Sequence, residues 1–191
     1  AMQDAVPVGE GAVAAILGVD MEVATAIAAE ASEGDVCSIA NDNAVGQIVF
    51  SGTTSAITRA IEIAKRTGAK RSMLLPVSAP FHCAMMAPAA DVMAKELATI
   101  VIDEPSVPLV VNVIAKEKKD PNEIRELLVH QVTGRVRWRE SVLFMKDNGV
   151  DTFIEVGAGK VLTGLTRRID SDLRSISIQG PNDIDGFLGS L

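Results

Sequence analysis

The sequence predicts an α/β protein built in two parts. Three observations carry that expectation. Residues 12–77 alternate short apolar runs with helical stripes in the order β-α-β-β-α-β. Residues 78–191 alternate helices with strands. Between the two patterns runs Pro76–Pro88, a proline- and methionine-containing connection. The chain of 191 residues is long enough to bury a hydrophobic core, in one domain or in two small ones.

In the first part, Ala12–Leu17 is an apolar strand that Gly18 closes. Asp20 suits a helix N-cap, with Glu22 in the first turn near the positive end of the dipole. Val23, Ile27 and Ala31 follow at helical spacing, and Gly34 stops the helix. Val36–Ala40 reads as a strand and Asn41-Asp42-Asn43-Ala44-Val45-Gly46 as turn chemistry. Gln47–Ser51 alternates, with Ile48 and Phe50 on one face. Thr53 or Thr54 caps a second helix, whose Ile57, Ile61 and Ala64 share a stripe. Lys65 and Arg66 fall in its last turn and Gly68 ends it. Met73–Val77 is the final strand. This order is the split-βαβ, ferredoxin-like pattern.

In the second part, Pro88 suits the first turn of a helix, and Met93, Leu97, Ile100 and Val101 form its expected buried stripe. Leu109–Val113 reads as a buried strand. Asn122–Gln131 and Trp138–Asn148 read as helices, with Gly149 as a cap. Thr152–Val156 is a strand that runs into Gly157-Ala158-Gly159-Lys160. A helix over Val161–Ile169 and a strand near Ser175–Ile178 complete the pattern. The alternation predicts a mainly parallel sheet, but only about three strands are legible, fewer than such sheets usually hold. This half reads as incomplete by itself.

Composition narrows the function. Hydrophobic residues make up 48% of the chain and charged residues 23%, as in ordinary globular proteins. A net charge of -7, a pI near 4.9 and 3% aromatics argue against nucleic-acid binding and against a base-stacking surface. Cys37 and Cys83 fit no disulfide framework and no zinc spacing, and read as free thiols in a reducing compartment. The N-terminal stretch carries an acid where a signal peptide needs positive charge, and its longest apolar run, Ala12–Leu17, is too short for a bilayer. A soluble, cytoplasmic protein without membrane partners is expected.

Two histidines are present. His82 lies in the connecting loop, within Pro76-Val-Ser-Ala-Pro-Phe-His-Cys-Ala-Met-Met. Histidine is the usual general base near neutral pH, and catalysis concentrates on loops held by rigid scaffolds. The alternative is a histidine packed under the neighbouring methionines. His130 falls in a helical stretch, where a surface side chain is expected. Cys83 adjoins His82, but adjacent side chains point apart, so it reads as a small buried residue. Gly157-Ala158-Gly159-Lys160 is too short for a Walker loop and lacks the third glycine of a dinucleotide fingerprint. Its glycines serve a tight strand-to-helix turn, with an anion at the helix N-terminus as a weaker reading. Basic residues cluster as Lys65, Arg66, Lys70 and Arg71, and as Arg135, Arg137, Arg139, Lys160, Arg167 and Arg168. These are solvated faces or a local dock for an anionic partner.

Val77-Ser-Ala-Pro-Phe-His-Cys-Ala-Met-Met86, then Pro88-Ala-Ala and Val107-Pro-Leu-Val-Val-Asn-Val113, resembles the malonyl-CoA:acyl carrier protein transacylases of bacterial fatty acid synthesis. So do the opening Met2-Gln-Asp-Ala-Val-Pro7, the run Gly11-Ala-Val-Ala-Ala-Ile-Leu-Gly18 and the ending Glu155-Val-Gly-Ala-Gly-Lys-Val-Leu-Thr-Gly-Leu165. The resemblance covers almost the whole chain, in register. It implies a ferredoxin-like small subdomain over residues 12–77, inserted in an α/β-hydrolase-like large subdomain whose C-terminal part is 78–191. Residues 1–11 then connect from the rest of the large subdomain.

The implied reaction is ping-pong acyl transfer. A serine takes malonyl from coenzyme A and passes it to the phosphopantetheine thiol of acyl carrier protein, with histidine as base and then acid. No cofactor and no metal are implied, since the coenzyme A thioester is a substrate. His82 matches the family's histidine. Gln131 matches the residue whose backbone carbonyl orients it. Phe81 resembles the pocket wall of malonyl-preferring members, where one methyl group is worth about 1–3 kcal/mol of discrimination. Asn43 and Asn112 match positions near the substrate channel and the histidine. Lys70 and Arg71 offer a dock for the acidic carrier.

The chain departs from the family by lacking a Gly-x-Ser-x-Gly elbow. The family's oxyanion loop and the arginine for the malonyl carboxylate are missing too. The chain is therefore expected to correspond to the C-terminal part of the enzyme, to be inactive alone, and to be unstable as an isolated monomer. Two alternatives remain: a non-catalytic ferredoxin-like module that docks an acidic carrier protein, and the acyltransferase domain of a polyketide synthase.

Overall fold

A computed structural model of the chain describes residues 1–189, so the last two positions of the expected 78–191 segment lie outside the described residues. The fold is mixed α/β. The chain divides into two compact units, Ala1–Ser141 and Val142–Leu191.

The first unit is organised by a four-stranded antiparallel sheet. Strands β1 (Gly11–Leu17), β2 (Cys37–Ala44), β3 (Gln47–Thr53) and β4 (Arg71–Leu74) lie in the order β2-β3-β1-β4. Helices α1 (Met21–Ser32) and α2 (Thr54–Arg66) supply the connections and pack on one face. Both helices start where the sequence puts their caps. The Asp20 carboxylate accepts from the Val23 N–H at 2.8 Å, and the Thr53 hydroxyl accepts from the Ala56 N–H at 3.3 Å. Ile16, Ile27, Ile48, Phe50 and Ile57 fill the core beneath them. The sheet's other face is also buried, because Val13, Ala40 and Val49 pack together there with Leu75.

Strand β2 is longer than expected. Asn41, Asp42 and Asn43 continue it, and the turn is confined to Val45 and Gly46. Two register shifts accommodate them, between Ile39 and Asn41 and between Asp42 and Ala44, the second leaving Asn43 at a bulge. The outer edge of β2 is not bare. The Asp42 N–H donates to the Val136 carbonyl at 2.8 Å, and the Val136 N–H to Ala40 at 2.7 Å. Strand β4 ends earlier than the expected Met73–Val77. Its last ladder-like bond is Leu75 N–H to Val13, and Pro76 has no N–H to continue.

A single 3₁₀ turn, Ala84–Met86, leads from the His82 loop into α3 (Ala87–Ala98), which carries Pro88 in its first turn and packs along α4 (Pro121–Thr133). The expected buried stripe of α3 is not buried. Only Ala89 is, while Ile100 and Val101 lie beyond the helix end at 51% and 85% exposure. The stripe assumed three more helical residues than form. Instead, Arg125 donates to the carbonyls of Leu97 and Ile100 and closes the helix end.

Leu109–Val113 is likewise not a buried strand of a parallel sheet. Leu109–Val111 (β5) pairs antiparallel with Lys116–Lys118 (β6), and Asn112–Ala115 makes the turn between them. Ala115 takes the left-handed φ of 52° that this turn requires, a conformation its sequence does not advertise.

In the second unit, β7 (Thr152–Val156) and β8 (Arg174–Ile178) pair in parallel, joined by α6 (Val161–Ile169) as a crossover. They are the only parallel strand pair among the described residues, so the mainly parallel sheet expected for the second part is not present there. Helix α7 (Asn182–Leu188), which the sequence did not signal, packs on β8. Helix α5 (Trp138–Asp147) spans the boundary between the units. Val156, Val161 and Leu188 are largely exposed. Among the described residues no helix is long and apolar enough to cross a membrane.

Candidate functional site

His82 lies between two structural constraints. Its backbone φ is 61°, a left-handed value that a side chain other than glycine rarely adopts. It is held in a short knot of local bonds. The Phe81 N–H donates to Ala79 at 3.0 Å, the Cys83 thiol to Pro80 at 3.1 Å, and the Met86 N–H to Cys83 at 3.0 Å. Ala79 and Met86 are buried with Val6, Ala89 and Val132, and Phe81 packs against the same cluster. Val132 belongs to α4, so one small core supports both the histidine loop and the end of that helix.

The end of α4 meets the imidazole. The last carbonyls of a helix have no partner within it. That of His130 accepts the Gly134 N–H at 2.8 Å, and that of Gln131 lies 3.0 Å from His82 Nδ1. A carbonyl can only accept, so Nδ1 carries the proton in this bond. The neutral ring then has its acceptor lone pair on Nε2. Asn112, in the β5–β6 turn, joins the group by donating from Nδ2 to Gln131 Oε1 at 2.7 Å.

His82, Gln131 and Asn112 are thus brought together, with Phe81 beside them. The other candidates lie on the four-stranded sheet. Asn43 is half-buried at the β2 bulge and shares no hydrogen bond with the histidine group. Lys70 and Arg71 are exposed at edge strand β4, where Lys70 crosses the face of Gly18. Lys65 and Arg66 are paired to Glu62 and Glu30, whereas Lys70 and Arg71 are in no ion pair among the described residues.

In the second basic cluster Lys160, Arg167 and Arg168 are exposed, as on a solvated face, but the other three arginines are engaged in ion pairs. Arg135 and Arg137 share Glu140, and Arg139 holds Asp42. His130 is exposed, as expected for its helix. Burial pushes the Cys37 thiol up to about 11 and raises that of Cys83, so neither is a ready thiolate. Among the described residues no cluster of histidine, cysteine and carboxylate could hold a metal.

In the second unit, the strand-to-helix turn after β7 is filled from within. Glu155 accepts from the Leu162 N–H at 3.1 Å, and from the Thr163 N–H and hydroxyl, both at 2.7 Å. Its carboxylate occupies the place suggested for an external anion. The Thr163 hydroxyl, then the backbone N–H groups, hold its pKa below the usual carboxylate value. Sequence patterning missed this cap because its two halves lie on different elements.

The family model of the acyl transferase domain matches residues 2–180. The chain belongs to the acyl transferase domain family. It is 47% identical over 181 residues to the malonyl CoA-acyl carrier protein transacylase of Escherichia coli K12, covering 95% of this chain and 59% of that protein. The crystal structure of an acyl-carrier-protein-S-malonyltransferase from Bartonella henselae superposes with a TM-score of 0.95 at 49% identity, over 99% of this chain and 60% of that one. A malonyl-transacylase in complex with a type II PKS acyl-carrier protein superposes with a TM-score of 0.95 at 40% identity, over 100% of this chain and 62% of that one. This acyl transferase domain chain therefore spans about three fifths of the length of these relatives.

Proposed function

We propose that this chain is the histidine-bearing part of a malonyl-CoA:acyl carrier protein transacylase of fatty acid biosynthesis. The observation that carries the reading is the His82–Gln131 bond, which leaves Nε2 as the basic nitrogen at the end of a strained loop. The named activities of the similar proteins support the substrate class. In this reading Nε2 takes the proton of a serine hydroxyl as its oxygen attacks the malonyl thioester. The tetrahedral intermediate collapses, and the same proton goes to the departing coenzyme A thiolate. The second half repeats the sequence with the phosphopantetheine thiol of acyl carrier protein, with water kept out. No cofactor enters these steps.

Phe81 is then a wall of the acyl pocket, and Asn43 and Asn112 line its approach. Lys70 and Arg71 are exposed and make no ion pair among the described residues, which supports their role as a dock for the acidic carrier. The β2-β3-β1-β4 order supports reading residues 12–77 as the ferredoxin-like small subdomain. Residues 1–11 are its connection, and 78–191 the C-terminal part of an α/β-hydrolase-like large subdomain. The free thiols favour a cytoplasmic location.

The 191 residues contain no Gly-x-Ser-x-Gly, so the nucleophile is assigned to sequence beyond them and the chain alone is inactive. Intact-protein mass spectrometry tests this. The chain incubated with malonyl-CoA gains no malonyl adduct, whereas a version extended by the upstream part of a relative does. In the extended protein His82→Ala slows acylation by about 10²–10⁴-fold. An adduct on the isolated chain, or an unchanged acylation rate in the variant, would overturn the proposal.

A further inference from the structure

We infer that Asn112 and the side-chain amide of Gln131 form a clamp that sets the tautomer of His82, which makes both of them positioning residues. The inference rests on the reading of His82 as the base and extends it to what holds the base in its productive form.

The Gln131 carbonyl is in the last turn of α4, where helices fray. A carbonyl there fixes an imidazole only if its own residue is fixed. Gln131 is held by both ends of its amide. Oε1 accepts from Asn112 Nδ2 at 2.7 Å, and Nε2 donates to the Gly134 carbonyl at 3.0 Å and points to that of Arg135 at 3.5 Å. The orientation of both amides follows from their partners. The carbonyls of Gly134 and Arg135 can only accept, so they take the Gln131 NH₂. Its oxygen then faces Asn112, which must present NH₂.

Asn112 Oδ1 is buried and accepts from no donor among the described residues, so the amide's hydrogen-bonded hold is its bond to Gln131. The turn that carries Asn112 is pressed against the helix end. A Cβ on Gly134 would lie 2.7 Å from Val113 Cγ2 and 2.8 Å from the His130 carbonyl. The β5–β6 turn thus holds the Gln131 side chain, and the main chain of the same residue holds the histidine. Without the clamp the Gln131 carbonyl loses the side-chain hold that aims it at Nδ1, and His82 reverts to the Nε2-protonated form that has no lone pair there for a serine proton.

The test is long-range ¹H–¹⁵N NMR of the imidazole nitrogens in the 191-residue chain, at a pH of about 8.5, above the ordinary histidine range. His130→Gln identifies the His82 signals. In the parent chain His82 shows a protonated Nδ1 and an unprotonated Nε2. In Asn112→Ala most of the neutral ring shifts to protonated Nε2. Gln131→Met keeps the backbone carbonyl and most of the side-chain volume, removes both amide bonds and gives the same shift, so the test does not depend on Asn112→Ala folding. Asn122→Ala, at the other end of α4, leaves the tautomer unchanged. Protonated Nε2 in the parent chain would overturn the reading of His82 as the base. A parent chain with protonated Nδ1 that keeps it in Gln131→Met would overturn the clamp alone.

Discussion

Arg139 grips Asp42 with two nitrogens: Nη2 lies 2.7 Å from Oδ2, and Nε lies 3.0 Å from each carboxylate oxygen. The pair ties the first turn of α5 to the bulged end of β2. The Asp42 side chain is 2% exposed and that of Arg139 27%. This asymmetry predicts unequal costs. Arg139→Met strands a buried carboxylate and is expected to cost about 3 kcal/mol. Asp42→Asn leaves a guanidinium that can reach water and is expected to cost about 1–2 kcal/mol. Urea unfolding of the two variants measures the difference. Equal losses would mean that Asp42 finds another partner or water when Arg139 is gone.

Gly52 of β3 lies against the backbone that leads into β2. A Cβ there would lie 1.8 Å from the carbonyl oxygen of Val36, which already accepts the Thr53 N–H at 2.9 Å. The obstacle is backbone at the start of a strand and cannot rotate away. Gly52→Ala is expected to destabilise the chain by about 3 kcal/mol, at the upper end of ordinary overpacking. Gly164→Ala, where a Cβ meets nothing within 4 Å, is expected to be neutral or slightly stabilising. Thermal melting of the two variants side by side checks the contrast.

Acid should weaken the fold through particular carboxylates. Glu155 is held low by Thr163 and the α6 N–H groups, Glu140 by Arg137, and Asp170 by Lys146. A carboxylate with a lowered folded pKa leaves the unfolded chain with more bound protons as the pH falls. Its contribution is complete above the ordinary glutamate value of 4.5 and is lost as the pH drops through the lowered folded value. Glu155→Gln should therefore be less stable than the parent chain at about pH 7 and close to it at about pH 3. Denaturant midpoints at both values test this. A gap that stays constant with pH would remove the charge of Glu155 from the account.

What the sequence revealed was mostly local. Asp20, Thr53, Gly68 and Pro88 signal helix ends through chemistry within a few residues, and the structure puts them there. Asn41-Asp42-Asn43 misled for the opposite reason. Its composition favours a turn, while the groups that straighten it, Val136 and Arg139, are remote in sequence. The antiparallel β5–β6 hairpin was hidden because its left-handed residue is Ala115, not glycine or asparagine. At the site, His82 was visible as a loop histidine. Gln131 acts partly through a backbone carbonyl, which no residue type announces, and it came only from the family resemblance. Its side-chain bond to Asn112 was not visible at all.

The left-handed backbone of His82 gives a last prediction. Glu33 and Ala115 also have positive φ, but they sit at a helix end and in a hairpin turn. His82 belongs to neither, and the local bonds of Phe81, Cys83 and Met86 hold its backbone at a φ of 61°. Such a conformation costs a non-glycine residue about 1–2 kcal/mol, while glycine loses about 0.5–1 kcal/mol more chain entropy on folding. His82→Gly and His82→Ala both lose the ring and its hydrogen bond, so that loss cancels between them. The glycine variant is expected to be the more stable by about 0.5–1 kcal/mol. Paired urea unfolding resolves a difference of that size. The reverse order, normal where the backbone is right-handed, would show that the loop relaxes once the imidazole is gone and that the bond to Gln131 is what holds it strained.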